Sequence, residues 1–352
     1  MNKNHIALID RLAETHTLPA ENYLTLIRNL SDEEDAYLAN CALKTKETHY
    51  GKQIFIRGLI EISNICKNDC YYCGIRASNR NCERYRLTEE EILSCCEEGY
   101  RLGFRTFVMQ GGEDRFFTDD VLCDILHHIK AAYPDCAVTL SLGERSDISY
   151  RRLKKAGADR YLLRHETANP EHYRLLHPKK MLYLNRLRCL HVLRDVGFQV
   201  GCGFMVGSPF QTEEMLAEEL RFIEAFKPDM CGIGPFIPHK DTDFRDFGAG
   251  SVRMTCRLLS CIRLIHPTVL LPATTALGTL HPQGREMGIL HGANVVMPNL
   301  SPASVRKKYM LYDNKRSDGD ESAQAIASIR ARLESIGCTV SVSRGDIAAE
   351  EQ

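Results

Sequence analysis

The sequence predicts an α/β fold, a closed barrel of eight parallel strands wrapped by helices, and three observations carry the prediction. Short β-branched runs alternate with amphipathic stretches from residue 53 to about residue 298, and such alternation builds a parallel sheet with crossover helices. Eight runs can be counted, each but the last followed by a helical pattern before the next begins. Their span matches the ~250 residues that a (β/α)8 barrel uses. A doubly wound open sheet is the alternative, but the turn after the first strand reads ISNICKNDC. The G-x-G-x-x-G phosphate fingerprint of that fold is absent there.

The elements follow in order. Residues 1–50 read as two or three helices, including a charged one near Ser31–Lys46, and form a helical N-terminal extension. The barrel, over residues 51–312, opens with a strand at Gln53–Ile65. Thr88–Leu102 reads as a helix, its N-cap threonine followed three residues on by Glu91, the capping-box spacing. Further strands are expected at Thr106–Gln110, Ala137–Leu142, Arg160–His165, Gln199–Val206, Met230–Phe236, Thr268–Leu271 and Asn294–Met297. Helical patterns lie between them at 118–133, 147–156, 170–196 (interrupted), 212–226, 251–265 and 283–291. The tail, 313–352, turns polar in DNKRSDGDE and then spaces Ile326, Ile329, Leu333 and Ile336 as a helix would. Both flanks are expected to pack against the exterior or an end of the barrel.

Composition narrows the function. Hydrophobic residues at 44% and charged residues at 26% exclude a disordered or fibrous chain. With 45 Lys+Arg against 46 Asp+Glu, the outer field attracts neither nucleic acid nor anionic lipid, and neither is expected as a partner. The start, MNKNHIALIDRL, lacks the apolar core of a secretory signal. No run approaches the ~18 apolar residues of a membrane span. The expectation is therefore a cytoplasmic protein with reduced thiols. Its 15 cysteines, an odd number, cannot all pair internally. Cys95, Cys96, Cys123, Cys189, Cys256 and Cys261 fall in helical patterns and are expected to pack as small hydrophobes.

Cys66, Cys70 and Cys73 stand apart. They lie in CKNDCYYC directly after the first strand, and the loops that follow barrel strands build the active-site face. Three thiolates in one short loop can hold a compact centre of a soft metal: zinc, copper(I) or iron–sulfur. A structural zinc site wants four protein ligands, yet no second C-x-x-C pair exists and the next cysteine is Cys82. A 4Fe-4S cluster on three cysteines would leave one iron open to a non-protein ligand. Zinc completed by a remote histidine (His49 or His239), or three unconnected thiols, are the alternatives.

The C-x3-C-x2-C pattern with an aromatic, Tyr72, before its last cysteine resembles the signature of radical S-adenosylmethionine (SAM) enzymes. The resemblance implies one 4Fe-4S cluster whose open iron chelates SAM, with Cys66, Cys70 and Cys73 as its ligands. Electron transfer from the reduced cluster would then release a 5′-deoxyadenosyl radical. Gln110, Gly111, Gly112 and Glu113, ending the second strand, resemble the GGE segment whose backbone meets the methionyl ammonium. The glycines there let backbone approach a ligand closely. Arg164 and Glu166 are two apart on a strand and so share a face. They form either a self-satisfied ion pair or, by resemblance, contacts from Glu166 to the amine or ribose of SAM and from Arg164 to an anionic substrate group. Arg186 suits the SAM carboxylate, which guanidinium binds bidentately.

Longer stretches, RYLLRHETANP (160–170), GIGPFIPHKDT (232–242), PATTALGT (272–279), GANVVMPN (292–299) and YRLTEEEI after the cysteines, resemble the HydE family of FeFe-hydrogenase maturases. The likeness runs from about Lys52 through Tyr312. It implies a small organometallic iron–cysteine substrate held by Arg164, Thr139, Thr274, Thr275, Tyr309 and Met205. It also implies a flavodoxin- or ferredoxin-like reductant and contact with the partner maturases HydG and HydF. The alternative for Thr274 and Thr275 is ordinary strand-end turn residues, and for Tyr309 and Tyr312 packing beneath the last loop. The three strand cysteines and one arginine that hold a second cluster in biotin synthase are replaced here by Met109, Thr139, Gly201 and Leu271, which argues against sulfur insertion. Methylornithine synthase, a radical SAM mutase, is the runner-up; a non-catalytic iron–sulfur or zinc scaffold is the reading of another class. Many HydE proteins carry a second cysteine triplet after the barrel, whereas only Cys338 follows Asn299 here, so a single cluster is expected.

Overall fold

The computed structural model describes residues 1–317 and 319–348; Asp318 and residues 349–352 of the tail lie outside the described residues. Strands in chain order are β1 (Gln53–Ile56), β2 (Gly58–Ser63), β3 (Thr106–Gly111), β4 (Ala137–Ser141), β5 (Arg160–Leu162) and β6 (Gln199–Cys202). They continue as β7 (Met205–Val206), β8 (Met230–Cys231), β9 (Gly234–Pro235), β10 (Val295–Val296) and β11 (Thr339–Ser341). A parallel sheet runs β2-β3-β4-β5-β6-β8. It closes through parallel bridges from Met230 to Leu270, from Pro272 to Val295, and from Leu59 to Asn299. The barrel is therefore complete, with helices outside it.

Several expected strands are broken, each for a local reason. The first run divides at the buried Arg57 because its neighbour changes: β1 lies between β10 and β11, whereas β2 pairs with β3. The 199–206 run divides at Gly203, where a Cβ would lie 2.0 Å from the carbonyl oxygen of Gly232. The strand expected at Thr268–Leu271 is reduced to the bridges at Leu270 and Pro272, since proline cannot donate to a ladder.

Most helices cover the barrel by burying one stripe, whereas Val252–Ile265, sandwiched beneath the N-terminal helices, is buried all round from Thr255 to Ile265. Helix Glu89–Arg101 buries Ile92, Cys95, Cys96 and Gly99, and its N-terminus carries the full Thr88–Glu91 capping box. Of the cysteines expected in helix packing, Cys123 is only half-buried; the other five are buried, and all fifteen thiols are free. Helices Lys3–Thr15, Ala20–Arg28 and Asp32–Tyr50 form the N-terminal layer. Arg257 clamps that layer to the barrel with a bidentate pair to Asp35, at 2.6 and 2.7 Å.

The tail is built into the barrel's lower end. Helix Ile326–Ser335 buries Ile329 and Leu333, and β11 then pairs with β1. Residues 343–346 follow beneath the strands: Arg57 donates to Gly345 O at 3.2 Å, and Arg160 to Asp346 Oδ1 at 2.5 Å. Among the described residues no helix is long and apolar enough to cross a membrane.

Candidate functional site

The opposite end of the barrel, where the strands finish, opens into a cavity of about 340 Å³. Its rim starts with the cysteine loop after β2. Arg84 stitches that loop together by donating to four carbonyls, those of Asn64, Ile75, Arg76 and Asn79, at 2.6–3.0 Å. Asp69 braces the same turn by accepting from Arg76 Nε at 2.8 Å and from the amide of Ser78 at 3.0 Å. With its backbone thus satisfied, the loop presents Cys66, Cys70 and Cys73 to the cavity.

Burial pushes all three thiols up from the ordinary value, Cys70 to about 12, and for Cys73 the other two cysteines push the same way. Three thiolates crowded in one wall are disfavoured unless a cationic centre neutralises them, which is what a metal does. The wall holds these three cysteines and no fourth. Among the described residues no three His, Cys, Asp or Glu side chains are arranged to hold one metal ion. His239 stands against Gly74, and His49 is absent from the cavity wall. The donor set thus fits a polynuclear centre with one open position better than four-ligand zinc.

Behind the cysteines stands the turn Gln110–Glu113 at the end of β3. Gly112 is required there: a Cβ would meet Ile65 O at 2.3 Å and Cys66 Cβ at 2.8 Å, pushing the turn off the cysteine loop. Glu113 is already engaged, by Lys67 at 2.9 Å and by the amide of Glu144 at 3.1 Å. It ties the two loops together, so the turn offers a ligand its backbone.

Strand five ends in strain. Glu166 has a φ of +67°, a left-handed conformation rare for a non-glycine residue. Its Oε2 lies buried without a hydrogen bond, 3.6 Å from Arg164 Nη2. Arg164 donates to Phe204 O at 2.5 Å and leaves Nε unpaired. Arg186 also lines the cavity, held by Glu144 at 2.6 Å and Arg164 O at 2.6 Å. Burial works against its charge, but Tyr173 and Glu144 outweigh it and raise the pKa.

Deeper in the cavity stand Thr274, Thr275, Met205 and Tyr309. Thr274 occupies the N-cap of helix Thr275–Leu280, yet its hydroxyl caps nothing and is buried without a partner. Thr275 donates to Glu321 at 3.2 Å, and Tyr309 Oη accepts from Gln110 Nε2 at 3.3 Å. Thr139 is the exception among the expected residues. It stands in register with Val108 and Arg160, one layer below Gln110 and Ser141, and does not line the cavity; Ser141 does.

Sequence reasoning missed Ser141, Arg84, Glu144, Met181 and a buried pair. Lys315, from the tail, reaches into the wall and meets Glu61 at 2.6 Å. Only the close spacing of charges in DNKRSDGDE hinted at it.

Comparison with known proteins gives consistent results. A family model described as the radical SAM superfamily matches residues 60–223. The chain is 42% identical over 300 residues to the FeFe hydrogenase maturase subunit HydE of Thermotoga maritima, covering 85% of each protein. It is 27% identical to 3-methylornithine synthase of Methanosarcina barkeri, covering 94% of this chain and 93% of the relative. Its fold is similar to the crystal structure of methylornithine synthase (PylB), with a TM-score of 0.84, 26% identity, and coverage of 95% of this chain and 97% of that one.

Proposed function

Since this chain belongs to the HydE family of the radical SAM superfamily and is a radical SAM enzyme, we propose that it matures FeFe-hydrogenase by radical attack on a small organometallic iron–cysteine precursor. One observation carries the reading: a single cavity joins three cysteines, a glycine turn packed on them, and buried polar groups left without protein partners. A 4Fe-4S cluster with SAM supplies, when bound, a 5′-deoxyadenosyl radical by reductive cleavage.

The chain's own residues supply the rest. Cys66, Cys70 and Cys73 hold the cluster, and Gly111 and Gly112 let backbone meet the methionyl end of SAM. Glu166 and Arg186 offer a carboxylate and a guanidinium to its amine and carboxylate. Arg164, Thr274, Thr275 and Tyr309 bind the substrate, for which one cation and several hydroxyls suit a small anion. The apolar side chains of Met205, Phe236 and Leu311 in the same wall exclude water from the radical.

The reading has one cluster, since Cys338 is the only cysteine after Asn299 and is buried in the core. Fifteen free thiols suit a reducing cytoplasm, and HydG and HydF are the proposed partners. The deciding experiment supplies the purified protein with SAM, a reductant and the HydG product, and asks whether apo-hydrogenase gains activity. Activation is expected. Its absence, with methylornithine formed instead, would favour the mutase reading suggested by the likeness to methylornithine synthase.

A further inference from the structure

The segment Leu175–Leu184 wraps the outside of the cysteine loop, and its two faces differ in character. The inward face grips the loop at three points. Leu176 O accepts from the amide of Tyr71 at 3.0 Å, the His177 ring meets the Tyr72 hydroxyl at 3.1 Å, and Met181 Sδ lies 3.7 Å from Cys70 Sγ. The outward face is half apolar, with Leu175, Leu182 and Leu184 exposed by 47%, 62% and 76%. Lys179 and Lys180 are exposed between them. No acidic residue occurs in the segment, LLHPKKMLYL, and neither lysine makes an ion pair among the described residues.

Three exposed leucines beside two unpaired lysines make this face part apolar and locally cationic. The cations favour an acidic partner, and such charge steers encounter. The chemistry supplies the reason for one. Each SAM cleavage consumes one electron from outside, and Met181 of this segment touches Cys70.

Resting on the radical SAM reading, we propose that the Leu175–Leu184 face docks an acidic one-electron carrier protein of the flavodoxin or ferredoxin type. Its electron passes by Met181 to the cluster. The carrier is oxidised by one electron, the cluster is reduced by one, and breakage of the carbon–sulfur bond of SAM gives methionine and the adenosyl radical.

The test uses an acidic flavodoxin as probe and the full-length protein carrying Lys179→Glu and Lys180→Glu together. Flavodoxin binding should weaken about tenfold or more at low ionic strength and lose most of its salt dependence. Flavodoxin-driven 5′-deoxyadenosine formation should fall in step, whereas dithionite-driven formation stays at the parent rate. A second variant, Leu182→Ser with Leu184→Ser, should weaken binding while leaving the salt slope intact. Unchanged flavodoxin affinity in both variants would overturn the proposal. So would an equal loss with dithionite, or conversion of a dimer to a monomer by the charge variant with flavodoxin binding unaffected. Should dithionite itself yield no 5′-deoxyadenosine in the parent protein, the enzymatic reading fails, while the binding measurement still decides the docking site.

Discussion

Arg160 and Arg164 sit four residues apart at one strand of the barrel, and the two ends of the molecule treat them oppositely. Arg160, at the lower end, is fully buried and fully used: it donates to Gln199 at 2.9 Å, Thr106 at 3.1 Å, Arg344 O at 2.9 Å and Asp346 at 2.5 Å. Arg164, at the upper end, has one backbone acceptor, a distant carboxylate and a bare Nε. Around it lie the unpaired oxygens of Glu166 and Thr274 and a strained backbone at Glu166. A buried polar group without a partner costs about 1–3 kcal/mol. The tail segment meets that cost for Arg160, though Arg57 Nε nearby stays unpaired, whereas at the upper end Arg164 Nε, Glu166 Oε2 and Thr274 Oγ1 are left unpaired around one cavity. Such local violations gather where a ligand completes the structure.

The largest effect should follow Cys70→Ala. Iron analysis after anaerobic reconstitution should show the cluster largely lost, and 5′-deoxyadenosine should fall below detection, because one of its three cysteine ligands is gone. Retention of four irons and full turnover would remove the cysteine loop from the account.

Next comes the matched pair on the strand. Arg164→Leu should cut turnover about 100-fold with little change in thermal midpoint. Arg160→Leu should do the reverse, costing about 3 kcal/mol through the partners it strands and leaving SAM cleavage within a few-fold. Equal behaviour of the two variants would erase the distinction between the ends.

A smaller effect is expected at Glu166. Glycine adopts its left-handed backbone freely, so Glu166→Gly should stabilise the protein by about 1 kcal/mol in urea unfolding while lowering turnover. A loss of stability would mean that the carboxylate is structural.

The smallest effect concerns Asp346. Burial works against its carboxylate, but Arg344 and Arg160 outweigh it and hold its pKa below the ordinary 3.8. A depressed carboxylate stabilises the fold above the unfolded-state pKa and loses that contribution as pH falls through the folded one. Asp346→Asn should therefore cost about 1 kcal/mol at pH 7, modest because the side chain is part-exposed. The gap from the parent should narrow as pH falls below 3.8 and through the depressed pKa of the folded state. A gap constant across that range would show that charge plays no part in the clamp.

Much of the upper end was legible in the sequence because its signals are local. Three cysteines in one loop, two glycines at a strand end and a charged dipeptide spacing survive any error in element boundaries. Depth along a strand is different. Thr139 and Ser141 share a face, and only the register with Val108 and Gln110 shows which of them reaches the cavity. Contacts between distant segments were illegible for the same reason. Nothing near Lys315 marks Glu61 as its partner, and nothing in CTVSVSRGD marks β11 as a neighbour of β1. Arg84, which holds the cysteine loop in shape, reads in sequence as one more surface charge.

The most direct test of the central claim reduces the anaerobically reconstituted protein with dithionite, adds SAM and quantifies 5′-deoxyadenosine alongside the EPR spectrum of the cluster. The account predicts that SAM changes the spectrum and that 5′-deoxyadenosine accumulates, with both effects absent from Cys70→Ala. A spectrum indifferent to SAM, with no 5′-deoxyadenosine from fully loaded protein, would contradict it.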